Sequence, residues 1–284
     1  MIVSFHPCFP GDKNILCAGR EPDSDDMAVI KSASAVILPQ GCKQSLYNMA
    51  KNNCPCIFPN YDAKFKYPDK IGQIILFRKT GMQHPKTEIY PAIEYYQKKY
   101  GQLITKPSVG FPFVFRFNWG GEGDNLFLIR SLGEFRNALQ KTAEFEKTGQ
   151  KGFLLQEYIP SQGKFLRAVI IGTKIYSFWK MQNESDCFWS SIVRGGAVDK
   201  KSYPELQELA VLSVKKFCRL TNINLAGFDF LISLKDNTRP LFFKINYLFE
   251  TQGLGGSEAY YKILKDEIKK WLAKGPDKNG TICI

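Results

Sequence analysis

The chain is poor in metal-binding residues. Its only histidines are His6 and His84, and none of its eight cysteines falls in a C-x-x-C pair. A zinc site needs several such ligands at close spacing, so the sequence offers no zinc framework. The scattered thiols read as small apolar residues of a reducing compartment. Long hydrophobic runs are also missing: none approaches the roughly 18 residues of a membrane span. The opening stretch MIVSFHPCF lacks the basic and long apolar regions of a secretory signal. These absences lead to the expectation of a cytoplasmic chain with no membrane partner. Neither a G-x-x-x-x-G-K-[ST] loop nor a G-x-G-x-x-G fingerprint occurs, and there is no arginine-rich arm or internal repeat.

Positive charge, by contrast, is plentiful, at a net +12. Such an excess suits nucleic acid, an anionic surface or small polyanions such as nucleotides. It also suits plain solubility, since pairs such as Lys98-Lys99, Lys200-Lys201 and Lys269-Lys270 are spread along the chain.

Strand and helix signals alternate through the first eighty residues: MIVSF, EPDSDDMAVIKSA, AVILPQG, SLYNMAKNN and CIFPN. That alternation predicts a small parallel α/β domain over 1–80. Ile71, Ile74, Ile75 and Phe77 lie at helical spacing, with Gly81 as the stop. The Pro-bearing QHPKTEIYP reads as a linker, which sets the boundary. A second domain is expected over 81–274, followed by a loose tail, 275–284. Within it FPFVFRFN, LFLIR, GFLLQEYI, LRAVIIG, KIYSFWK, LAGFDFLIS and PLFFKINY read as strands. Ser131 with Glu134 forms a capping-box pattern before a helix. The longest helix begins near YPELQ, with Leu206, Leu209, Leu212 and Phe217 expected near one face.

Several polar residues interrupt these strands. RFNWGGEGDN carries Gly120, Gly121 and Gly123 between two strands, a backbone able to approach a ligand and present N–H groups to phosphate. An ordinary hairpin with glycine turns has the same composition. Asp229 stands mid-strand in AGFDFLIS, where a carboxylate must be paired, metal-bound or solvated at a cleft. Asn246 ends the neighbouring strand, and a hairpin would bring the two together. Arg167 and Arg194 adjoin strand-like or glycine-rich segments, a setting suited to bidentate recognition of phosphate or carboxylate and equally to a surface ion pair. Phe113, Phe115, Phe117 and Trp119 beside basic residues suggest either a nucleic-acid stacking platform or, at alternate positions, a core.

Taken in order, FPFVFRFNWGGEG, LLQEYI, LRAVIIG, VRGGAV, LAGFDFLIS and FKINYLFETQGLGG resemble the successive motifs of ATP-grasp enzymes. The similarity is to the branch of glutathione synthetase, D-alanine–D-alanine ligase and the ribosomal protein S6 modification ligases, and it spans about Lys66 to Lys274. It implies an α/β and α+β architecture, in which two α+β subdomains clasp ATP behind a small parallel α/β domain. It also implies a carboxylate–amine ligase working through an acyl phosphate, with ATP and Mg²⁺ as cofactors. Its partners would be a carboxylate and an amine substrate, with nucleic acid an unlikely one.

The resemblance gives Arg116 a phosphate contact that is usually made by Lys. It gives Gln156, Glu157, Tyr158 and Ile159 the adenine hinge, and Gly120, Gly121 and Gly123 the closing loop. Arg167 and Arg194 become catalytic arginines facing phosphates or a carboxylate, Asp229 and Asn246 metal ligands, and Gly253, Leu254 and Gly255 an acceptor-pocket turn. There are departures. Phe165 stands where relatives place a ribose-binding acid, and Ser191 where they often hold Asn. Lys244 replaces the Glu that bridges two metals, and a protonated Lys has no lone pair to give a metal. Three readings follow. In the first, Lys244 stands in for one metal, with Asp229 and Asn246 holding a single ion. In the second, the chain is a nucleotide-binding pseudoenzyme. In the third, the strand register differs and Lys244 is a solvated edge residue beside an intact site elsewhere. Separately, Glu250 just beyond the strand offers a substitute carboxylate, though its place in a turn makes it a poor positional match.

Overall fold

The computed structural model describes residues 1–17, 19–101, 107–120, 125–161, 163–181, 197–232 and 239–274. The first part is a parallel sheet with helices. It runs β1 (Ile2–Ser4), β2 (Lys13–Asn14), α1 (Ser24–Lys31), β3 (Ala35–Ile37), α2 (Gln44–Asn53), β4 (Ile57–Phe58) and α3 (Asp62–Lys66). The strand order is β2-β1-β3-β4, all parallel. α1 starts where Asp23 accepts the backbone N–H groups of Asp25 and Asp26, and Asp26 answers the Asp23 N–H, a reciprocal cap.

Next come α4 (Asp69–Thr80), β5 (Thr87–Tyr90), α5 (Ile93–Tyr100), β6 (Phe113–Phe117), β7 (Leu126–Ile129), α6 (Leu132–Lys147) and β8 (Phe153–Glu157). Their strands form an antiparallel sheet in the order β5-β8-β6-β7. Gly81 ends α4 at φ +67°, as its position predicts. Ser131 caps α6, but the Glu134 carboxylate accepts from the Arg130 N–H, one residue ahead of the cap. The expected linker is in part a strand: Thr87–Tyr90 pairs with β8. Proline flanks this segment without interrupting it, so the sheet keeps its ladder.

The last part comprises β9 (Lys164–Ile171), β10 (Lys174–Met181), β11 (Ala197–Asp199), α7 (Pro204–Thr221), β12 (Leu225–Ile232), β13 (Pro240–Asn246) and α8 (Gly256–Lys274). Its antiparallel sheet has the order β11-β10-β9-β12-β13. α7 buries Gln207, Ala210, Val214, Phe217 and Cys218. Leu209 and Leu212, expected on that face, are exposed; the small Ala210 and Cys218 let the helix lie close to the sheet, and the leucines flank that contact. α4 also differs from expectation. Its Ile74, Leu76 and Phe77 share a core with Leu166, Phe217, Phe228 and Phe242, so the helix packs with the second domain rather than the first. Phe113, Phe115 and Phe117 are buried against Phe135 and Phe153. They are core residues, unavailable as a stacking platform. The tail 275–284 lies outside the described residues.

Candidate nucleotide cleft

The site is built where the two antiparallel sheets and α4 meet. Strand register sets its first row: β9 lies beside β12 and β12 beside β13, with Arg167 opposite Asp229 and Asp229 opposite Lys244. Three charged residues therefore stand side by side across three strands, and the register irregularity after Asp229 falls at this row.

Asp229 is buried and fully engaged. The Arg167 guanidinium grips it as a fork, Nε to Oδ1 at 2.6 Å and Nη2 to Oδ2 at 2.9 Å. The Asn246 amide donates to Oδ2 at 2.7 Å. Burial pushes the Asp229 carboxyl up, but the Arg167 charge and hydrogen bonds outweigh it and hold the group below the ordinary carboxylate range. Asp229 and Asn246, expected together on neighbouring strands, do meet, and Arg167, expected to face phosphate or a carboxylate substrate, is instead paired with Asp229.

From the other sheet β6 contributes Arg116, 3% exposed. Its Nη1 donates to Gln156 Oε1 at 3.1 Å and reaches the Phe243 carbonyl at 3.5 Å, while the guanidinium lies 4.2 Å from the Phe243 ring centre. Its Nε is buried and makes no hydrogen bond. Burial pushes Arg116 down to about 10 even with the Asp229 charge near it. Gln156 is fully buried, and its amide nitrogen donates to Thr87 Oγ1 at 2.9 Å. Its side chain is therefore an anchor for Arg116 and is not available to a base. In the rest of the expected hinge, the Glu157 N–H is taken by the Lys86 carbonyl at 2.8 Å, and Ile159 is buried. Tyr158, between them, is half-buried.

Sequence reasoning missed Lys70. It stands in the first turn of α4, and its ammonium donates to the carbonyls of Trp119 at 2.6 Å, Gly120 at 2.9 Å and Asn118 at 3.3 Å. Those carbonyls open the glycine-rich loop. Burial, then Arg116 and Lys244, push Lys70 down to about 7. One turn on, Gln73 pairs with both backbone groups of Ile245 in β13, at 3.0 and 2.8 Å. α4 thus ties the loop to the strand that carries Lys244. The available signal was an Asp-Lys pair opening an amphipathic helix, which any surface helix shares.

Gly120 adopts φ +76°, and a Cβ there would come within 1.9 Å of Asn125 Nδ2. A side chain is barred at this position by both conformation and space. Gly121, Gly123, Ser191 and Arg194 lie outside the described residues. At the acceptor turn, a Cβ on Gly253 would meet the Phe178 ring at 2.1 Å, and Gly255 takes φ +97°. Phe165 is buried with Arg167 and Lys180 over its ring, at 5.3 and 5.9 Å. Glu250 pairs with the buried Lys180 ammonium.

A Mg²⁺ ion seeks near-octahedral oxygen ligands, carboxylates among them. Among the described residues no group of three or more His, Cys, Asp or Glu is placed to hold a metal. Asp229 already accepts three hydrogen bonds, and Lys244 is its cross-strand neighbour. The donor set here does not fit the ion.

Two antiparallel sheets with their helices meeting at a cleft, behind a parallel α/β domain, define an ATP-grasp fold. The family model described as the RimK-like ATP-grasp domain matches residues 68–271, and the chain belongs to that family. The match begins at α4, in keeping with the packing of that helix. Among curated proteins, the chain is 28% identical over 173 residues to "Probable alpha-L-glutamate ligase 2" of Shewanella frigidimarina, covering 60% of this chain and 53% of that one. It is 27% identical over 194 residues to "Probable alpha-L-glutamate ligase" of Methanococcoides burtonii, covering 67% and 58%. The chain spans about half the length of the curated relatives it matches. Among solved structures, a RimK domain ATP-grasp protein from Sphaerobacter thermophilus superposes with TM-score 0.61 at 11% identity, covering 94% of this chain and 98% of that one. D-alanine–D-alanine ligase from Bacillus anthracis complexed with ATP gives 0.60 at 14%, covering 92% and 85%. These likenesses speak to the fold. Among the described residues no helix is long and apolar enough to cross a membrane.

Proposed function

We propose that the cleft binds ATP and that the chain is an ATP-dependent carboxylate–amine ligase. The observation that carries this reading is the placement of Lys70 on the carbonyls that open the glycine-rich loop, of Arg116 against β13 at the Phe243 carbonyl, and of Lys244 within that same strand. Cations brought together in this way favour a polyanion between them. A triphosphate supplies that charge, and the backbone after β8 would carry the base.

In the reaction the substrate carboxylate oxygen attacks the γ-phosphorus and ADP departs. The amine nitrogen then attacks the acyl carbon, phosphate leaves, and the nitrogen loses a proton. Lys70, Arg116 and Lys244 offset charge on the phosphates during the first step. Exclusion of water from the acyl phosphate is the task that the resemblance gives the glycine-rich loop. Arg167 orients the row through Asp229, while Arg194 keeps the substrate-facing role that the resemblance gives it. Because curated relatives are named as glutamate ligases, glutamate is the first amino acid to test. The experiment measures ADP and phosphate release with glutamate and a panel of amines, carboxylates and peptides. ATP binding without turnover on any pair would defeat the ligase reading. It would favour the second one, a nucleotide-binding protein without ligase activity, which the placement of Lys244 opposite Asp229 supports.

A further inference from the structure

Resting on the reading of this cleft as a nucleotide site, we infer that it holds its nucleotide without a divalent cation: the Lys244 ammonium takes the place of a metal's charge, and the ligand is metal-free ATP rather than the Mg²⁺ complex. The argument starts from the carboxylates. The two that the sequence offers as metal ligands, Asp229 and Glu250, are each closed by a cation, Arg167 and Lys180 respectively. Asn246 turns its N–H side to Asp229, so in this arrangement the amide acts as a donor to the carboxylate.

Opposite these pairs stand the cations. Lys244 lies beside Asp229 in register, Arg116 reaches β13 at the Phe243 carbonyl, and Lys70 senses both. A divalent ion entering here would have to displace the Arg167 fork and sit among several positive charges. Unlike charges attract and like charges repel as 1/r, so the same cations that repel Mg²⁺ attract uncomplexed phosphate. Complexation by Mg²⁺ removes two of the charges on ATP that these groups would meet. The site therefore discriminates against the complex.

The test is calorimetric titration of the whole protein with ATP, once with EDTA and once with excess Mg²⁺. The affinity in EDTA is expected to exceed that in Mg²⁺, by up to about tenfold. Equal or tighter binding in Mg²⁺ would overturn the inference while leaving the nucleotide site standing. Absence of binding in both buffers would overturn that reading and this one together. Lys244→Gln preserves length and polarity without the charge. It is expected to weaken binding in EDTA by about tenfold, and an unchanged affinity would remove Lys244 from the phosphate contacts and defeat the proposal.

Discussion

Lys70 is expected to make nucleotide binding a proton-linked event, and the size of the linkage follows from its surroundings. In the nucleotide-free protein, burial followed by Arg116 and Lys244 lowers its pKa from 10.5 to about 7. A phosphate beside the ammonium would favour the charged form and raise the pKa again. Below about pH 7 the amine is protonated with or without ligand, so on its account affinity does not change with pH. Above that point the nucleotide-free site has lost its proton while the bound site keeps it. Binding then takes up one proton, and affinity falls tenfold per pH unit, about 1.4 kcal/mol. Between pH 7 and 9 the loss is about fiftyfold. The terminal phosphate, with a second pKa of about 6, is already ionised over that range and adds no slope of its own. Calorimetry at pH 8 in two buffers of different ionisation enthalpy would report close to one proton taken up per ATP. Lys70→Met should bind more weakly at pH 7 and show no slope. A wild-type affinity that stays flat from pH 7 to 9, with no proton uptake, would refute the reasoning.

Other substitutions probe the supporting contacts. Gln156→Leu removes the acceptor for Arg116 and the donor to Thr87 at nearly constant volume; urea denaturation should show a loss of about 1–3 kcal/mol, with weakened ATP binding, and an unchanged midpoint would show that the anchor is dispensable. Asp229→Asn leaves the Arg167 cation buried without its counter-ion, so stability should fall by about 3–5 kcal/mol, and a loss under about 1 kcal/mol would mean that the pair is effectively solvated. Gly120→Ala meets both the positive φ and Asn125, and should weaken ATP binding with a stability loss of about 1–3 kcal/mol; wild-type affinity would separate the loop from the nucleotide. Lys244→Glu returns a carboxylate to the row, and ATP binding by this variant should come to depend on Mg²⁺, as read by titration with and without EDTA; binding that ignores the metal would show that the row is not at the phosphates.

The strands that carry the site were legible in the sequence because each is an apolar run interrupted by one or two polar residues. Asp229 in AGFDFLIS and Arg116 in FPFVFRFN announce themselves, since a buried charge on a strand requires a reason. Pairing was less legible. That Arg167 faces Asp229 depends on the register of β9 against β12, two segments more than fifty residues apart in sequence, and no local pattern encodes it. Lys70 was hidden for the opposite reason. A lysine in the first turn of a helix looks solvated until the tertiary fold lays three carbonyls over it. β5 was read as a linker because proline flanks it, and its four residues Thr87–Tyr90 do not alternate in burial, so only the pairing with β8 shows it to be an edge strand. The face of α7 was misread because the helix buries small residues, Ala210 and Cys218, where leucine periodicity drew attention elsewhere.

The claim on which the rest depends is that Lys70, Arg116 and Lys244 meet the phosphates of one bound nucleotide. A crystal structure of the protein with a non-hydrolysable ATP analogue tests it directly. The account predicts phosphate oxygens within about 3 Å of Lys70 Nζ, an Arg116 guanidinium nitrogen and Lys244 Nζ, with the base against the chain that follows β8. A nucleotide bound elsewhere, or phosphates held away from these cations, would contradict it.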